Sequence, residues 1–221
     1  ILPQRVLDLP KYGCVNLHGS LLPKYRGSAP IQRCVINGEK VTGITAMLMD
    51  AGVDTGDMLL KTETEIGENE TAGELFDRLA AMCPDILLKT LKGIVDGSVK
   101  PVKQDPEKAT LAPMLDKNES VIDWSSSARD VHNKVRGMDP WPVARTSFGG
   151  KLLKLYGTHP VDGLSAEGEV GTISVRDGHL FVKCGGNTVL ELTEVQLEGA
   201  KRMSASDFLR GHANADGTVL G

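Results

Sequence analysis

The spacing of apolar residues divides the chain into two regions with different secondary-structure patterns. In the first region, short apolar runs at positions 14–17 and 43–49 predict strands, with helical spacing between and after them. The second run, G-I-T-A-M-L-M, is almost continuously apolar, which is typical of a buried strand in a parallel sheet. The segment M-L-L-K-T-E, which begins at Met58, predicts a third strand. Strands that alternate with helices predict an α/β fold for this region.

Turn and capping residues predict where the first helices begin and end. Pro30 suits the first position of a helix, and Asn37-Gly38 suits a left-handed helix end. The Asn-Gly pair could instead close a hairpin, but the preceding I-Q-R-C-V-I alternates too weakly to favour a strand there. Thr71 and Glu74 form a capping-box signature, which predicts the start of a second helix.

Pro84 marks the predicted start of a third helix. Proline is tolerated in the first turn of a helix, and Gly97 follows the last residue of the apolar pattern. We therefore expect two separate helices between Thr71 and Gly97. The buried side of the third helix is predicted to consist of Ile86, Leu87, Leu91, Ile94 and Val95.

The second region is predicted to be rich in β-structure. Residues 99–118 lack sustained periodicity, and we assign residues 1–106 to a first domain, 107–118 to a linker and 119–221 to a second domain. After a short predicted helix come four strand signals, and a last helix follows them. The short helix covers residues 128–136, the strand signals 151–156, 170–175, 179–183 and 188–197, and the last helix 204–211. These elements predict a small antiparallel β-barrel or sandwich.

The composition excludes several classes of protein. The 221 residues have a net charge of −4, and no apolar run approaches the roughly 20 residues that span a bilayer. Because the N-terminus also lacks a targeting pattern, we expect a cytoplasmic protein that does not bind membranes. The four cysteines are scattered without a C-x-x-C pair, so we expect neither a disulfide framework nor a metal site.

Charged residues are distributed unevenly along the chain. Residues 54–85 contain nine Asp or Glu and two Lys or Arg, whereas residues 129–154 contain six Lys or Arg and two Asp. A basic segment is most often only a solvated surface. It is also the kind of segment that binds nucleic-acid phosphates, and these residues alone leave both interpretations open.

The segment G-C-V-N-L-H-G-S-L-L-P, residues 13–23, contains the first candidate for chemistry. Side chains alternate along a strand, so Asn16 and His18 fall on the same face, close to the strand end where α/β sheets bind ligands. The alternative is structural, because an isolated Asn-x-His is more often a hydrogen-bonded core histidine beside a turn-forming asparagine.

A second candidate segment, M-D-A-G-V-D-T-G-D, covers residues 49–57. Asp50 and Asp57 are interpreted as turn formers, because aspartate side chains bond to nearby backbone groups in turns. Asp54 gains a different role if the fold brings it to His18. A carboxylate there would orient the imidazole and favour its protonated form.

These residues resemble a known superfamily. The strings N-L-H-G-S-L-L-P-K-Y-R-G-S-A-P-I-Q and T-G-I-T-A-M-L-M-D-A-G-V-D-T-G-D-M-L are similar to formyltransferases that use 10-formyltetrahydrofolate. H-G-S-L-L-P followed by A-P-I-Q resembles the methionyl-tRNA formyltransferase family, whereas glycinamide ribonucleotide transformylases and formyltetrahydrofolate dehydrogenases more usually have H-P-S-L-L-P. Downstream, I-D-W at residues 122–124 and R-G-M-D-P-W-P at residues 136–142 look like that family's C-terminal domain.

The resemblance implies a fold and a reaction. The fold would be α/β followed by all-β: the C-terminal part of a Rossmann-like formyltransferase domain, then a small OB-like β-barrel that binds tRNA. The reaction would transfer a formyl group from 10-formyltetrahydrofolate to the α-amino group of initiator methionyl-tRNA in translation initiation. No metal would take part, and we expect a monomer.

The resemblance also implies roles for particular residues. Asn16, His18 and Asp54 would form the catalytic trio, in which Asn16 and protonated His18 donate to the oxygen of the tetrahedral intermediate and Asp54 supports the imidazolium. Contacts with folate are expected from Ser20, Leu21, Leu22 and Pro23. Binding of tRNA is expected at Lys134, Arg136, Arg145, Lys151 and Lys154. Trp124 and Trp141 are interpreted as core residues, not base-stacking platforms.

The sequence departs from the family pattern in two respects. Ser28 stands where the family commonly has alanine, which affects nothing catalytic. The chain opens on Ile1 without the βα units and the tRNA-reaching loop that begin the family's domain, so we expect a truncated segment that is inactive alone. Two rival hypotheses are a related formyltransferase acting on a sugar nucleotide or purine precursor, and a non-catalytic binding remnant whose trio does not converge.

Overall fold

The computed structural model describes residues 2–221, which form two compact units. The first contains residues 2–34 and 39–114, and the second contains Val35–Gly38 and Leu115–Gly221. The division after Met114 falls inside the predicted linker of residues 107–118. Part of that segment is bound to the first unit, because the backbone of Ala112 is hydrogen-bonded to Arg26. A linker that covers the whole of residues 107–118 therefore stays a prediction.

The first unit contains a three-stranded sheet in the order β1-β2-β3, and both pairs of strands are antiparallel. The expectation of parallel strands was therefore wrong. The physical reason is that β2 is the central strand and is buried over residues 42–47. A strand buried on both faces is continuously apolar whatever its direction, so the pattern reports burial only. The strands are β1 (Val15–His18), β2 (Val41–Leu48) and β3 (Met58–Glu65).

Three helices belong to the first 114 residues: α1 (Gln4–Leu7), α2 (Pro30–Ile36) and α3 (Ala72–Asp96). The predicted limits of α2 are confirmed, since it begins at Pro30 and Gly38 has a left-handed φ of 70°. The capping box of Thr71 and Glu74 is also confirmed at the start of α3.

One continuous helix, α3, replaces the two that were expected, because Pro84 lies inside it. Pro84 is exposed, so the loss of one backbone hydrogen bond there disturbs no packing. The buried stripe continues across it from Leu79 to Ile86 at helical spacing, which holds the two halves in line. Leu91 and Val95, which were expected to be buried, are 44% and 67% exposed because they lie off this stripe.

The second unit is an antiparallel sheet covered by two helices, α4 (Ala128–Gly137) and α5 (Ala205–Gly211). Its strand order is β4-β5-β8-β7-β6, and β9 pairs with β8. Inward-facing side chains such as Leu153, Leu155 and Leu190 form its core. The strands are β4 (Arg145–Phe148), β5 (Lys151–Val161), β6 (Ile173–Arg176), β7 (His179–Cys184), β8 (Thr188–Leu197) and β9 (Met203–Ser204).

The two tryptophans of the second unit differ in burial. Trp124 is 5% exposed and its indole N–H donates to Thr146 Oγ1 at 3.1 Å, which confirms it as a core residue. Trp141 is 50% exposed, so its assignment to the core was wrong. It lies in the turn between α4 and β4. Pro140 and Trp141 form the exposed part of this turn, whereas Val143 and Ala144, nearer β4, are buried.

Candidate active site

His18 ends β1, and each nitrogen of its ring faces an oxygen atom. The side chain is buried, and its Nε2 lies 2.8 Å from the carbonyl oxygen of Tyr25. A carbonyl oxygen only accepts hydrogen bonds, so Nε2 carries a hydrogen. The other ring nitrogen, Nδ1, lies 3.6 Å from Oδ2 of Asp54, beyond ordinary hydrogen-bond distance. Nδ1 therefore faces a carboxylate while remaining able to bond a third group.

Asp54 reaches this position from the loop after β2. Its backbone has a left-handed φ of 53°, a conformation uncommon for residues other than glycine. Its Oδ2 accepts a hydrogen bond of 2.9 Å from the N–H of Gly27. Unusual backbone angles that the surroundings enforce are concentrated at functional sites, and here the angle directs the carboxylate toward His18.

Asn16 shares a cavity with Asp54. The cavity has a volume of about 130 Å³ and lies against the end of β2 and the loop that follows it. Its lining residues are Asn16, Met47, Met49, Asp50, Gly52, Val53 and Asp54. The structure therefore brings the three sequence-predicted residues together, because His18 faces Asp54 and Asp54 lines the same cavity as Asn16. The Asn16 amide lines this cavity and can donate to a developing oxyanion, and the His18 imidazole faces Asp54, which lines the same cavity.

Asp50 has the turn-forming role that the sequence indicates. Its Oδ1 accepts hydrogen bonds from the N–H of Gly52 at 3.0 Å and from the hydroxyl of Thr55 at 2.6 Å. These bonds close the loop locally.

Sequence reasoning missed a pair of polar residues behind Asp54. The amide of Gln104 donates to the carbonyl oxygens of Asp54 and Gly56, both at 2.8 Å. Its Oε1 accepts from Nε and Nη2 of Arg26 at 2.9 and 2.8 Å. Arg26 lies within the K-Y-R-G string, but Gln104 is 78 residues away and outside both motifs.

The four predicted folate residues are divided between two environments. Ser20 is fully buried and its hydroxyl donates to the carbonyl of Lys24 at 2.7 Å, so it closes the turn after β1 and is not accessible to a ligand. The other three line a separate cavity of about 510 Å³. Its lining residues are Leu21, Leu22, Pro23, Lys24, Tyr25, Glu39, Val41, Thr42, Lys61 and Lys108. That volume lies within the usual range for small-molecule sites.

The basic residues predicted to bind tRNA differ in accessibility. Arg136 is only 6% exposed and donates through Nε and Nη2 to Oδ1 of Asn133, so its placement on a binding surface was wrong. It belongs to the inner face of α4, where a long side chain fills space. Lys134 is partly buried and donates to the carbonyl of Val121; burial lowers its pKa, against the charges of Asp123 and Glu119.

Arg145 and Lys154 lie side by side on one face of the second unit's sheet. They are directly opposite each other across β4 and β5, and Lys154 is also opposite Gln196 on β8. Opposite residues share a face, and both side chains here are partly exposed. Lys151 is exposed at the start of β5.

An aromatic ring and a further cation adjoin this row. The guanidinium of Arg202 lies 4.0 Å from the ring centroid of Tyr156, whose hydroxyl donates to Oε1 of Gln196 at 2.9 Å. Burial raises the pKa of the Tyr156 hydroxyl, an effect that the positive charge of Arg202 opposes. A stacked ring and guanidinium beside two more cations is an arrangement that suits nucleic acid.

Within residues 2–221, no group of three or more His, Cys, Asp and Glu side chains is arranged to hold a metal ion. Among these residues there is also no helix with the length and apolar character needed to cross a membrane.

Comparison with solved structures gives the fold. The methionyl-tRNA formyltransferase from Clostridium thermocellum aligns with a TM-score of 0.59 at 25% identity, over 74% of this chain and 70% of that chain. HypX from Aquifex aeolicus in complex with tetrahydrofolic acid aligns with a TM-score of 0.66 over 91% of this chain and 36% of that chain. A sugar 3N-formyl transferase, WlaRD, aligns with a TM-score of 0.67 over 85% of this chain and 66% of that chain. The latter two are 18% and 19% identical and show the fold alone.

Comparison of sequences gives the family. Residues 1–91 match the family described as formyl transferase, and residues 114–213 match the formyl transferase C-terminal domain. The methionyl-tRNA formyltransferase of Acetivibrio thermocellus is 53% identical over the whole chain, which spans 71% of that relative's length. That of Clostridium perfringens strain SM101 is 48% identical, with the same two coverages. With both formyl transferase domains matched and about half of its residues identical to these relatives, the chain belongs to the methionyl-tRNA formyltransferase family.

Proposed function

We propose that this protein transfers a formyl group from 10-formyltetrahydrofolate to the α-amino group of initiator methionyl-tRNA. The observation that carries the proposal is that Nδ1 of His18 lies 3.6 Å from Oδ2 of Asp54, and that Asp54 lines one cavity with Asn16. This convergence opposes the alternative of a non-catalytic remnant. The acceptor is inferred from the names of the relatives. The formyl donor is inferred from fold neighbours that bind folates.

The chemistry needs one oxyanion stabilised and one proton moved. The amine attacks the formyl carbon, a new C–N bond forms, and the carbonyl oxygen becomes negative. Asn16 donates to that oxygen through its amide, and protonated His18 donates through Nδ1. The bond from the formyl carbon to N10 then breaks as N10 takes up a proton in exchange for the one the amine gives up. Asp54, beside Nδ1, supports the imidazolium and directs that proton exchange.

The folate extends along Leu21, Leu22 and Pro23 in the 510 Å³ cavity. Support comes from the chemistry of the lining, in which these apolar residues lie beside Lys24 and Lys61. A folate combines flat rings with carboxylates, which such a lining can accommodate. Ser20 is no longer among the contacts, because its hydroxyl is buried and bonded to Lys24.

The tRNA binds the face that carries Arg145 and Lys154, and Lys151 is exposed at the start of β5, at the tip of the same hairpin. The two partly exposed cations on neighbouring strands form a surface that can contact phosphates. Lys134 lies at its edge with a partly buried ammonium, and the stacked pair of Tyr156 and Arg202 adds a base-stacking platform.

The protein acts as a cytoplasmic monomer, and its four free cysteines suit a reducing compartment.

The two units correspond to the C-terminal part of a Rossmann-like domain and to an OB-like barrel. Support for a barrel comes from the C-terminal segment, residues 217–221. Thr218 accepts from the N–H of Ile173 at 2.8 Å at one edge strand, and Gly221 donates to Ser147 at 3.3 Å at the other. The segment thus bonds to both β6 and β4, which are the ends of the strand order.

The experiment that tests this proposal compares three amine acceptors with the same formyl donor. The chain is first joined to the N-terminal βα units with which the family's domain begins. Initiator methionyl-tRNA, a dTDP-linked amino sugar and glycinamide ribonucleotide are each incubated with this completed protein and 10-formyltetrahydrofolate, and formylated products are separated by mass. We expect formylation of methionyl-tRNA alone, and its loss in His18→Ala. Preference for the sugar or the ribonucleotide, or activity that persists in His18→Ala, would overturn the proposal.

A further inference from the structure

The side chain of Gln104 uses its full hydrogen-bonding capacity at the candidate active site. Its two N–H groups donate to the carbonyl oxygens of Asp54 and Gly56, and its oxygen accepts twice from the guanidinium of Arg26. All four distances lie between 2.8 and 2.9 Å. A fully satisfied amide with partners on both sides fixes the separation of those partners.

The partners of Gln104 are the two segments that carry the chemistry. Arg26 lies between Tyr25, whose carbonyl accepts from Nε2 of His18, and Gly27, whose N–H donates to Oδ2 of Asp54. Asp54 itself accepts from Gln104 through its backbone carbonyl. One side chain therefore connects the segment that orients the imidazole to the loop that carries the carboxylate.

The backbone of the Asp54 loop needs to be held by its neighbours. Asp54 has a φ of 53°, a strained conformation for a residue other than glycine that persists only where neighbours enforce it. The bonds from Gln104 to Asp54 and Gly56 hold the backbone across this residue.

The other side of the connection is already rigid. The backbone N–H of Arg26 donates to Thr110 at 2.8 Å, and its carbonyl accepts from Ala112 at 2.7 Å. A Cβ at Gly27 would lie 2.7 Å from the Ala112 carbonyl oxygen, so this segment has little freedom to move. Gln104 transmits that rigidity to the Asp54 loop.

We propose that Gln104 is a positioning residue that sets the distance between the Asp54 carboxylate and the His18 imidazole. The kinetic consequence rests on the proposed formyl transfer, whereas the geometric consequence does not. Gln104 lies outside both sequence motifs. Its side chain acts on the reaction only through Asp54 and Arg26.

The test uses two variants that remove different bonds. Gln104→Glu keeps an acceptor for Arg26 but cannot donate to Asp54 and Gly56, and Gln104→Met removes every bond. Asn214→Asp, at an exposed residue of the second unit, is the control for an added negative charge. Thermal unfolding shows whether each variant folds.

The first measurement is the ¹⁵N spectrum of labelled histidine, which needs no substrate. In Gln104→Glu we expect the Nδ1 signal of His18 to shift, because Asp54 moves, while the Nε2 signal bonded to Tyr25 changes less. The signals of His179 and His212, in the second unit, are internal references. Unchanged Nδ1 signals in both Gln104 variants would overturn the proposal, whatever the activity.

The second measurement is kcat and KM for methionyl-tRNA and folate. We expect both variants to lower kcat on the order of 10-fold to 100-fold, with each KM within about threefold, because small misplacements of reacting groups act mainly on the transition state. If the Gln104→Glu variant formylates methionyl-tRNA with an unchanged kcat, the positioning role of Gln104 is overturned and the proposed function stands. Absence of formyl transfer by the completed protein with wild-type Gln104 would instead overturn the proposed function and leave the spectroscopic test intact.

Discussion

The carbonyl oxygen of Tyr25 lies 2.8 Å from Nε2 of His18, and this contact leaves the other ring nitrogen, Nδ1, facing Asp54. Because the carbonyl can only accept, Nε2 keeps its hydrogen whether the imidazole is neutral or charged. Nδ1, on the side of Asp54, is therefore the ring nitrogen left to bond a further group. Sequence patterns cannot identify this partner, since the group involved is backbone.

Replacement of Asp54 by Asn should abolish most turnover and leave folding intact. The amide keeps the shape of the carboxylate but removes the charge that faces Nδ1 of His18. We expect kcat to fall on the order of 100-fold or more, with a small change in KM. Steady-state formylation of methionyl-tRNA is the measurement, and Asp57→Asn is the control. Equal kcat values in the two variants would show that the charge of Asp54 is not used.

Alternation along one strand predicts that Asn16 and His18 share a face, but it was the resemblance to formyltransferases that added Asp54 and implied a catalytic trio. The Arg26 and Gln104 pair could not be predicted from the sequence, because no local pattern joins residues 78 positions apart. Strand direction was misjudged for a similar reason. The apolar run of β2 records burial, and only pairing with β1 and β3 determines that both neighbours are antiparallel.

Strand β4 was not predicted, although the sequence contains a signal for it. Strand β4 ends at Phe148 and β5 begins at Lys151, so Gly149 and Gly150 form a two-residue hairpin turn. Both glycines have positive φ, of 56° and 78°, as a type I′ turn requires. A Gly-Gly pair between R-T-S-F and K-L-L-K predicts this hairpin directly.

Charge reversal of Lys154 should weaken tRNA binding, whereas Arg136 should matter for folding only. Loss of one phosphate contact lowers the slope of log affinity against log salt by about 0.7 to 0.9. We expect such a change for Lys154→Glu, measured by fluorescence anisotropy of labelled tRNA at several salt concentrations. Lys183→Glu on β7 is the control.

Arg136→Met should leave the slope unchanged and lower the unfolding temperature, because the buried Asn133 loses its partner.

Replacement of Pro84 by Ala should stabilise the protein. Proline inside a helix costs about 3 kcal/mol, and its rigidity in the unfolded chain returns about 1 kcal/mol, so the expected gain is about 2 kcal/mol. The site is exposed, so no packing is lost. Urea unfolding gives the free energy, and Leu79→Ala, at a buried position of the same helix, should instead lose about 2 to 5 kcal/mol. A Pro84→Ala protein no more stable than the wild type would refute this account of α3.

Cys184 should resist thiol reagents in the folded protein. Burial raises the pKa of its thiol to about 12, and the thiolate is the reactive species. At pH 8 the thiolate fraction is on the order of 10⁻⁴, and raising the pH toward 12 should increase labelling. Cys14 and Cys83 are partly exposed and should react first with iodoacetamide, as followed by mass spectrometry of peptides. Labelling of Cys184 at the rate of Cys83 at pH 8 would contradict its burial.

Removal of residues 217–221 should expose both edges of the second unit's sheet. Thr218 accepts from the N–H of Ile173 in β6, and Gly221 donates to Ser147 in β4, so this segment satisfies backbone groups at both ends of the strand order. Without it, the N–H of Ile173 lacks a partner and should exchange with deuterium much faster. Leu190, in the central strand β8, should keep its protection because its neighbours β5 and β7 remain. Hydrogen exchange read by NMR separates the two amides. Equal protection of Ile173 in the shortened and complete chains would mean that the C-terminal segment does not cover this edge in solution, and the proposed closure of the barrel would fail with it.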